Sequence, residues 1–147
     1  MKCVIQRVQE ARVVVDDATV GEIGAGMLVL VGFERGDTEA SLAYPVDKLG
    51  KLRIFADEDG KMNRSVQDVG GRVLVVSQFT LAGDCRKGTR PGFDGALPPQ
   101  EARALYAQFV EQLQHTLGAQ NVATGQFGAH MAVSLINDGP VTFLLEN

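Results

Sequence analysis

Three stretches carry residue types suited to chemistry, and each falls where a strand should end or a loop begin. Ser77-Gln78-Phe79-Thr80 closes a strongly apolar run that starts at Arg72. A hydroxyl, an amide and a second hydroxyl at that point offer donors, and backbone N–H groups freed there can stabilise an oxyanion. The plainer alternative is a strand end capped by turn-forming side chains. No Gly-x-Ser-x-Gly elbow surrounds Ser77, and no base is adjacent. The second stretch, Arg86-Lys87-Gly88-Thr89-Arg90-Pro91, lies in a long Gly-rich segment over 82–98. It suits phosphate or ribose contacts, or is simply a solvated loop. The third, Asn137-Asp138-Gly139-Pro140-Val141-Thr142, interrupts the most strand-like sequence in the chain. Proline disrupts a sheet interior, and Asn-Asp-Gly-Pro is turn vocabulary. It reads as a turn, or as a rigid backbone corner presented to a ligand.

Composition removes other chemistries. With only His115 and His130, a zinc hydrolase or a His-based triad has little material. His115, in the last turn of a predicted helix, reads as a solvated or dipole-stabilising residue. Cys3 and Cys85 have no metal spacing and suggest free thiols in a reducing cytoplasm. Asp57-Glu58-Asp59-Gly60 lacks the EF-hand spacing and its terminal Glu. Gly24-Ala25-Gly26 is no phosphate loop, since a strand follows it. The net charge of −4 argues against a broad nonspecific nucleic-acid binder but allows a local patch that grips one end. No apolar run is long enough for a membrane helix, and the first residues show no cleavage pattern.

The elements that must position these residues follow from periodicity. Residues 2–8 alternate as a strand, residues 12–15 and 19–23 read as a hairpin around Asp16-Asp17, and 27–33 is a buried strand. A helix capped at 37–39 should run to about Leu49, with Pro45 kinking or delaying it. Short strands are predicted over 52–55 and 121–124, and a long one over 72–79. Pro98-Pro99 opens a helix whose core stripe is Ala102, Leu105, Phe109, Leu113 and Leu117, ended by Gly118. Strands outnumber helices and come in runs, which predicts one α+β domain over 1–147. Its sheet should be mostly antiparallel and curved or barrel-like, with two main helices.

Taken together, Ser77-Gln78-Phe79-Thr80-Leu81 and the 137–142 stretch resemble the D-aminoacyl-tRNA deacylase family closely. The likeness covers essentially the whole chain, including Gln6-Arg7-Val8, Gly60-Lys61-Met62-Asn63, Gly88-Thr89-Arg90-Pro91 and Val133-Ser134-Leu135. It implies hydrolysis of the ester at the 3′-terminal adenosine of mischarged tRNA, including glycine on the alanine tRNA, with no metal or organic cofactor. It implies a homodimer in which a cis Gly139–Pro140 of one subunit enters the active site of the other. Arg7 would hold that corner in place. Asn137, Gly139, Pro140, Val141 and Thr142 would bind substrate, and Ser77, Gln78, Phe79 and Thr80 would line the site of reaction. Arg86, Lys87 and Arg90 are candidates for the tRNA acceptor end. One departure is His130, where the family form has an acidic residue; we expect that position to be peripheral.

The implied logic is physically coherent. A stiff backbone can bind the substrate amino group through its carbonyls and fill the space an L side chain would need, so chirality is judged by exclusion. Two chemical routes remain open. Thr80 attacks the ester as a nucleophile, although no base adjoins it. Alternatively, N–H groups near Phe79 and Thr80 stabilise the oxyanion while the ribose 2′-hydroxyl assists water. We favour the second. A noncatalytic tRNA- or nucleotide-binding module is the competing class.

Overall fold

The computed structural model describes residues 1–146. Its main sheet is built from β1 (Lys2–Val15), β2 (Ala18–Ile23), β3 (Gly26–Gly32), β6 (Arg72–Ser77), β7 (Val122–Thr124) and β8 (Ala132–Glu146). Two short strands, β4 (Phe55–Ala56) and β5 (Met62–Arg64), pair separately. The helices are α1 (Ala43–Lys51) and α2 (Pro99–Leu117). β1 pairs antiparallel with β2, β3 and β8, whereas β3–β6 and β6–β7 are parallel. The sheet is therefore mixed, and β2 turns back against β6 and β7 to close it nearly into a barrel.

The apolar residues divide into two cores. Cys3, Ile5, Val29, Val73 and Val75 face Leu49, Phe109 and Leu113 of the helices. Val8, Val13, Ile23, Leu28, Leu74 and Val76 fill the barrel. β6 thus buries both faces, which is why its sequence is a continuous apolar run rather than an alternation. β1 changes face along its length: Cys3 and Ile5 point to the helices, while Val8, Ala11 and Val13 point into the barrel. Its pairing with β8 slips over the same residues, between Gln6 and Val8 and between Val8 and Glu10. Such slips bend a strand and free backbone from the ladder.

Several boundaries differ from the sequence expectations. The first strand and the first arm of the hairpin are one continuous strand, because β8 pairs with it on both sides of the bend. The first helix begins as a 3-10 turn over Glu39–Leu42 and becomes α1 only at Ala43. Pro45 then falls in the first α-helical turn, where a missing N–H costs little. The strand expected over 52–55 shrinks to Phe55–Ala56, and β6 stops at Ser77 because residues 79–82 form another 3-10 turn. α2 and its glycine stop agree with the sequence, Gly118 having a φ of 89°. No helix among the described residues is long and apolar enough to cross a membrane.

Candidate active site

At the end of β6 the chain leaves the sheet under tight control. The Gln78 N–H donates to Val31 O at 2.7 Å, after which a 3-10 turn forms over Phe79–Ala82. Leu81 N–H bonds back to Gln78 O at 3.2 Å and Gly83 N–H to Thr80 O at 2.9 Å. Gly32 makes this approach possible, since a Cβ there would stand 2.6 Å from Gln78 O. The N–H groups of Phe79 and Thr80 open the turn and have no acceptor among the described residues. Gln78 Nε2 donates to Thr80 Oγ1 at 2.6 Å, so the Thr80 hydroxyl already has a partner.

Ser77, Gln78 and Phe79 face a cavity of about 740 Å³, within the range that holds a small organic ligand. Val31 and Phe33 at the end of β3 line it, as do Phe93 and Leu97, the start of α2 at Pro98, Pro99 and Ala102, and residues 127–131. Phe79, 59% exposed, pairs with Phe93 at 5.2 Å between ring centroids, tilted by 57°. Phe127 is backed by Tyr106 at 5.6 Å and lies under the Arg103 guanidinium at 4.9 Å. The Tyr106 hydroxyl donates to Val75 O at 2.9 Å, tying α2 to β6, and burial pushes this phenol well above its ordinary pKa. The lining is mostly apolar, and among the described residues its only ionisable side chains are Arg35 and His130. Thr80 lies outside the lining.

The 137–142 stretch sits elsewhere. Gln6 pairs with Thr142 and Val8 with Asn137, so residues 138–141 loop out opposite the single residue Arg7. The Gly139–Pro140 bond is cis. Arg7 Nε lies 3.0 Å from Asp138 O and 2.9 Å from Asp138 Oδ2, and its Nη1 donates to Ile54 O at 2.6 Å. Asn137 Nδ2 donates to Arg7 O at 2.8 Å, and Thr142 Oγ1 bonds to Gln6 Oε1. Val141 is buried beneath the corner, while Gly139 and Pro140 are exposed.

Within one chain the two motifs are apart. Arg7 is level with Met27 and Val73, whereas Ser77 is level with Val31 and Cys3. Four residues of strand correspond to about 13 Å along the sheet. None of residues 137–142 lines the cavity. Arg86, Lys87 and Arg90 occupy an exposed loop closed by reciprocal backbone bonds between Asp84 and Gly92, of 2.8 and 2.9 Å, and do not line the cavity either. Arg86 grips the Asp84 carboxylate through Nε at 2.9 Å and Nη2 at 2.6 Å, holding that carboxyl far below the usual range.

His130, expected to be peripheral, lines the cavity because the residue-125–131 connection folds over its side. Sequence reasoning also passed over Phe93, Phe127, Arg35 and Arg103. The available signal was aromatic and basic residues set in Gly-rich connections, where no core periodicity accounts for them.

Comparison with known proteins places the chain in a family. A family model for D-Tyr-tRNA(Tyr) deacylase matches residues 4–146. The chain is 56% identical over 147 residues to a D-aminoacyl-tRNA deacylase of Thermotoga petrophila, covering 100% of this chain and 97% of that one. It is 58% identical over 146 residues to the namesake of Geobacter sulfurreducens, covering 99% and 95%. Among solved structures, the c-Myc DNA Unwinding Element Binding Protein superposes with a TM-score of 0.95 at 43% identity, covering 100% of this chain and 99% of that one. A probable eukaryotic D-amino acid tRNA deacylase shares the fold at a TM-score of 0.85 and 20% identity, covering 98% and 97%. This chain belongs to the D-Tyr-tRNA(Tyr) deacylase family, enzymes that hydrolyse the aminoacyl-tRNA ester bond.

Proposed function

We propose that residues 1–147 form one catalytic domain that hydrolyses D-aminoacyl-tRNA in the cytoplasm. The observation that carries the mechanism is the pair of N–H groups at Phe79 and Thr80, unengaged among the described residues, beside a mostly apolar cavity whose described lining holds no carboxylate. Water attacks the ester carbonyl carbon, and these two donors take the oxyanion. The ribose 2′-hydroxyl relays a proton from the attacking water to the departing 3′-oxygen, giving free tRNA and the D-amino acid. Ser77 and Gln78 orient the end of β6. The Gln78–Thr80 bond favours this route over nucleophilic attack by Thr80, whose hydroxyl is held by an amide rather than by a base. The hydrolysis in this reading calls on no metal or organic cofactor.

Chiral selection is the work of the corner formed by Asn137, Gly139, Pro140, Val141 and Thr142, anchored by Arg7. Its distance from the cavity of its own chain supports its use across a homodimer. β8 supports the same reading. Its second edge is unpaired among the described residues, and Val133, Leu135, Ile136 and Leu144 are 36–57% exposed along it. A long apolar edge strand of this kind is normally covered, and a two-fold axis would place each corner at the other subunit's cavity. Glycine, with no side chain to exclude, passes the same gate in this reading, which makes glycine mischarged to the alanine tRNA a further substrate. Lys87 and Arg90, with Arg86 beside them, contact the acceptor end farther from the ester.

The competing reading is a nucleic-acid-binding module without turnover, favoured only by the name of the 43%-identical protein, a DNA unwinding element binding protein. Deacylation of matched D- and L-aminoacyl-tRNA separates the two: the enzyme clears the D form alone, and the binding module clears neither.

A further inference from the structure

An acidic protein that binds a nucleic-acid end must place its cations locally, because its net charge of −4 repels phosphate. Several arginines are already engaged with acids: Arg7 with Asp138, Arg64 with Glu58 and Arg86 with Asp84. Two arginines at the cavity are different.

Arg35 follows Phe33 out of β3 and itself lines the cavity. Its backbone N–H bonds to Gly95 O at 2.8 Å and its Nε to Asp94 O at 2.7 Å, so the side chain is strapped to the segment that also supplies Phe93. Its two terminal nitrogens have no acceptor among the described residues. Of the two nearby acids, Glu34 is paired with Lys2 at 3.0 Å, and Asp94, which meets Arg35 through its backbone carbonyl, forms no ion pair with the guanidinium. Arg103 stands in the first turns of α2, one residue after the cavity-lining Ala102. Its guanidinium lies over Phe127 at 4.9 Å and has no acidic or carbonyl partner among the described residues. The ring contact uses none of the guanidinium's N–H donors, which remain free for bidentate phosphate recognition.

We propose that Arg35 and Arg103 bind the backbone phosphates immediately upstream of the terminal nucleoside, so that the acceptor strand leaves the cavity along the first turns of α2. This rests on the reading of the cavity as the site for an aminoacylated 3′ end. It assigns the phosphates nearest the ester to these two residues and leaves the 86–90 loop to more distant ones.

The test uses two probes and three variants: Arg35→Gln, Arg103→Gln and, as a remote charge control, Lys51→Gln. The first probe is an unacylated RNA minihelix with a single-stranded 3′ end, whose Kd is measured over a range of salt. The second is a 3′-O-(D-aminoacyl)adenosine, which carries no phosphate, followed by its hydrolysis. Each arginine variant should weaken minihelix binding about five- to tenfold at low salt and lower the slope of log Kd against log salt by about 0.7. Hydrolysis of the adenosine ester should fall by less than about twofold in either arginine variant, well short of the loss in minihelix binding, and Lys51→Gln should change neither readout. Unchanged minihelix affinity and slope in both arginine variants would overturn the proposal. So would an equal loss on the phosphate-free ester, which would show that these residues serve the aminoacyl-adenosine itself and not the phosphates. Arginine-dependent minihelix binding in a parent that hydrolyses no ester would sink the deacylase reading while leaving the phosphate contact standing.

Discussion

Arg7 holds Asp138 twice, with Nε 3.0 Å from its backbone oxygen and 2.9 Å from its carboxylate, while Nη1 reaches Ile54 O at 2.6 Å. One guanidinium thus joins the looped-out corner to a second segment. The ladder cannot do this, since residues 138–141 lie outside it. A planar fork satisfies these directions together, whereas an ammonium cannot. Arg7→Lys should therefore fold and yet lose about ten- to a hundredfold in kcat/KM for D-aminoacyl-tRNA, with cleavage of the L form rising from background. Parental activity and selectivity in Arg7→Lys would detach the corner from the reaction.

The Thr80 hydroxyl is bonded to Gln78 Nε2 at 2.6 Å and stands outside the cavity lining, whereas its backbone N–H is available. Thr80→Ala keeps that N–H, so kcat should fall by less than about tenfold. Single-turnover kinetics measures this directly. Complete loss in Thr80→Ala, together with a covalent aminoacyl adduct trapped on Thr80 in the parent, would establish the nucleophilic route instead.

Action of the corner across a dimer predicts complementation. A Cβ on Gly139 would lie 2.6 Å from Asn137 Oδ1, so Gly139→Ala should displace Asn137 from Arg7 O and disable the corner. Gln78→Ala disables the other motif. Unfolded, mixed and refolded together, the two inactive variants should recover about a quarter of the parental activity. Half of randomly paired dimers are mixed, and one of their two sites is intact. No recovery despite demonstrated mixed dimers would place both motifs in the same subunit's site.

The two thiols should behave oppositely. Cys85 is exposed, whereas Cys3 is buried in the helix-facing core, where desolvation pushes its pKa up from 9.0 to about 12. In the native protein at pH 8, a thiol reagent should modify Cys85 quickly and Cys3 only on unfolding. Above pH 9 the unfolded chain releases the Cys3 proton while the native state retains it. That contribution therefore lowers stability as pH rises from about 9 toward 12. Cys3→Ser should flatten the fall, as read by denaturant unfolding over that window.

Much of this was legible in the sequence because local signals agreed with tertiary demands. The Leu105, Phe109 and Leu113 stripe and the Gly118 stop defined α2. The apolar run before Ser77 marked β6, and the Gly139-Pro140 interruption marked the corner. What was not legible depended on long-range pairing. The single bent β1 is set by β8, which lies more than a hundred residues away and whose register slip no local pattern announces. The shortening of β6 at Ser77 follows from Gln78 bonding to Val31 and from the space left by Gly32. Phe93, Phe127, Arg35 and His130 come from separate connections that only the folded chain gathers around one cavity.

The central claim is chirality-selective hydrolysis, and the most direct measurement is deacylation of one tRNA charged with either enantiomer of the same amino acid. Release from the D-aminoacyl-tRNA should be rapid and first-order, at least about a hundredfold faster than from the L form, which should decay at its spontaneous rate. Cleavage of both enantiomers at similar rates, or of neither, would contradict it.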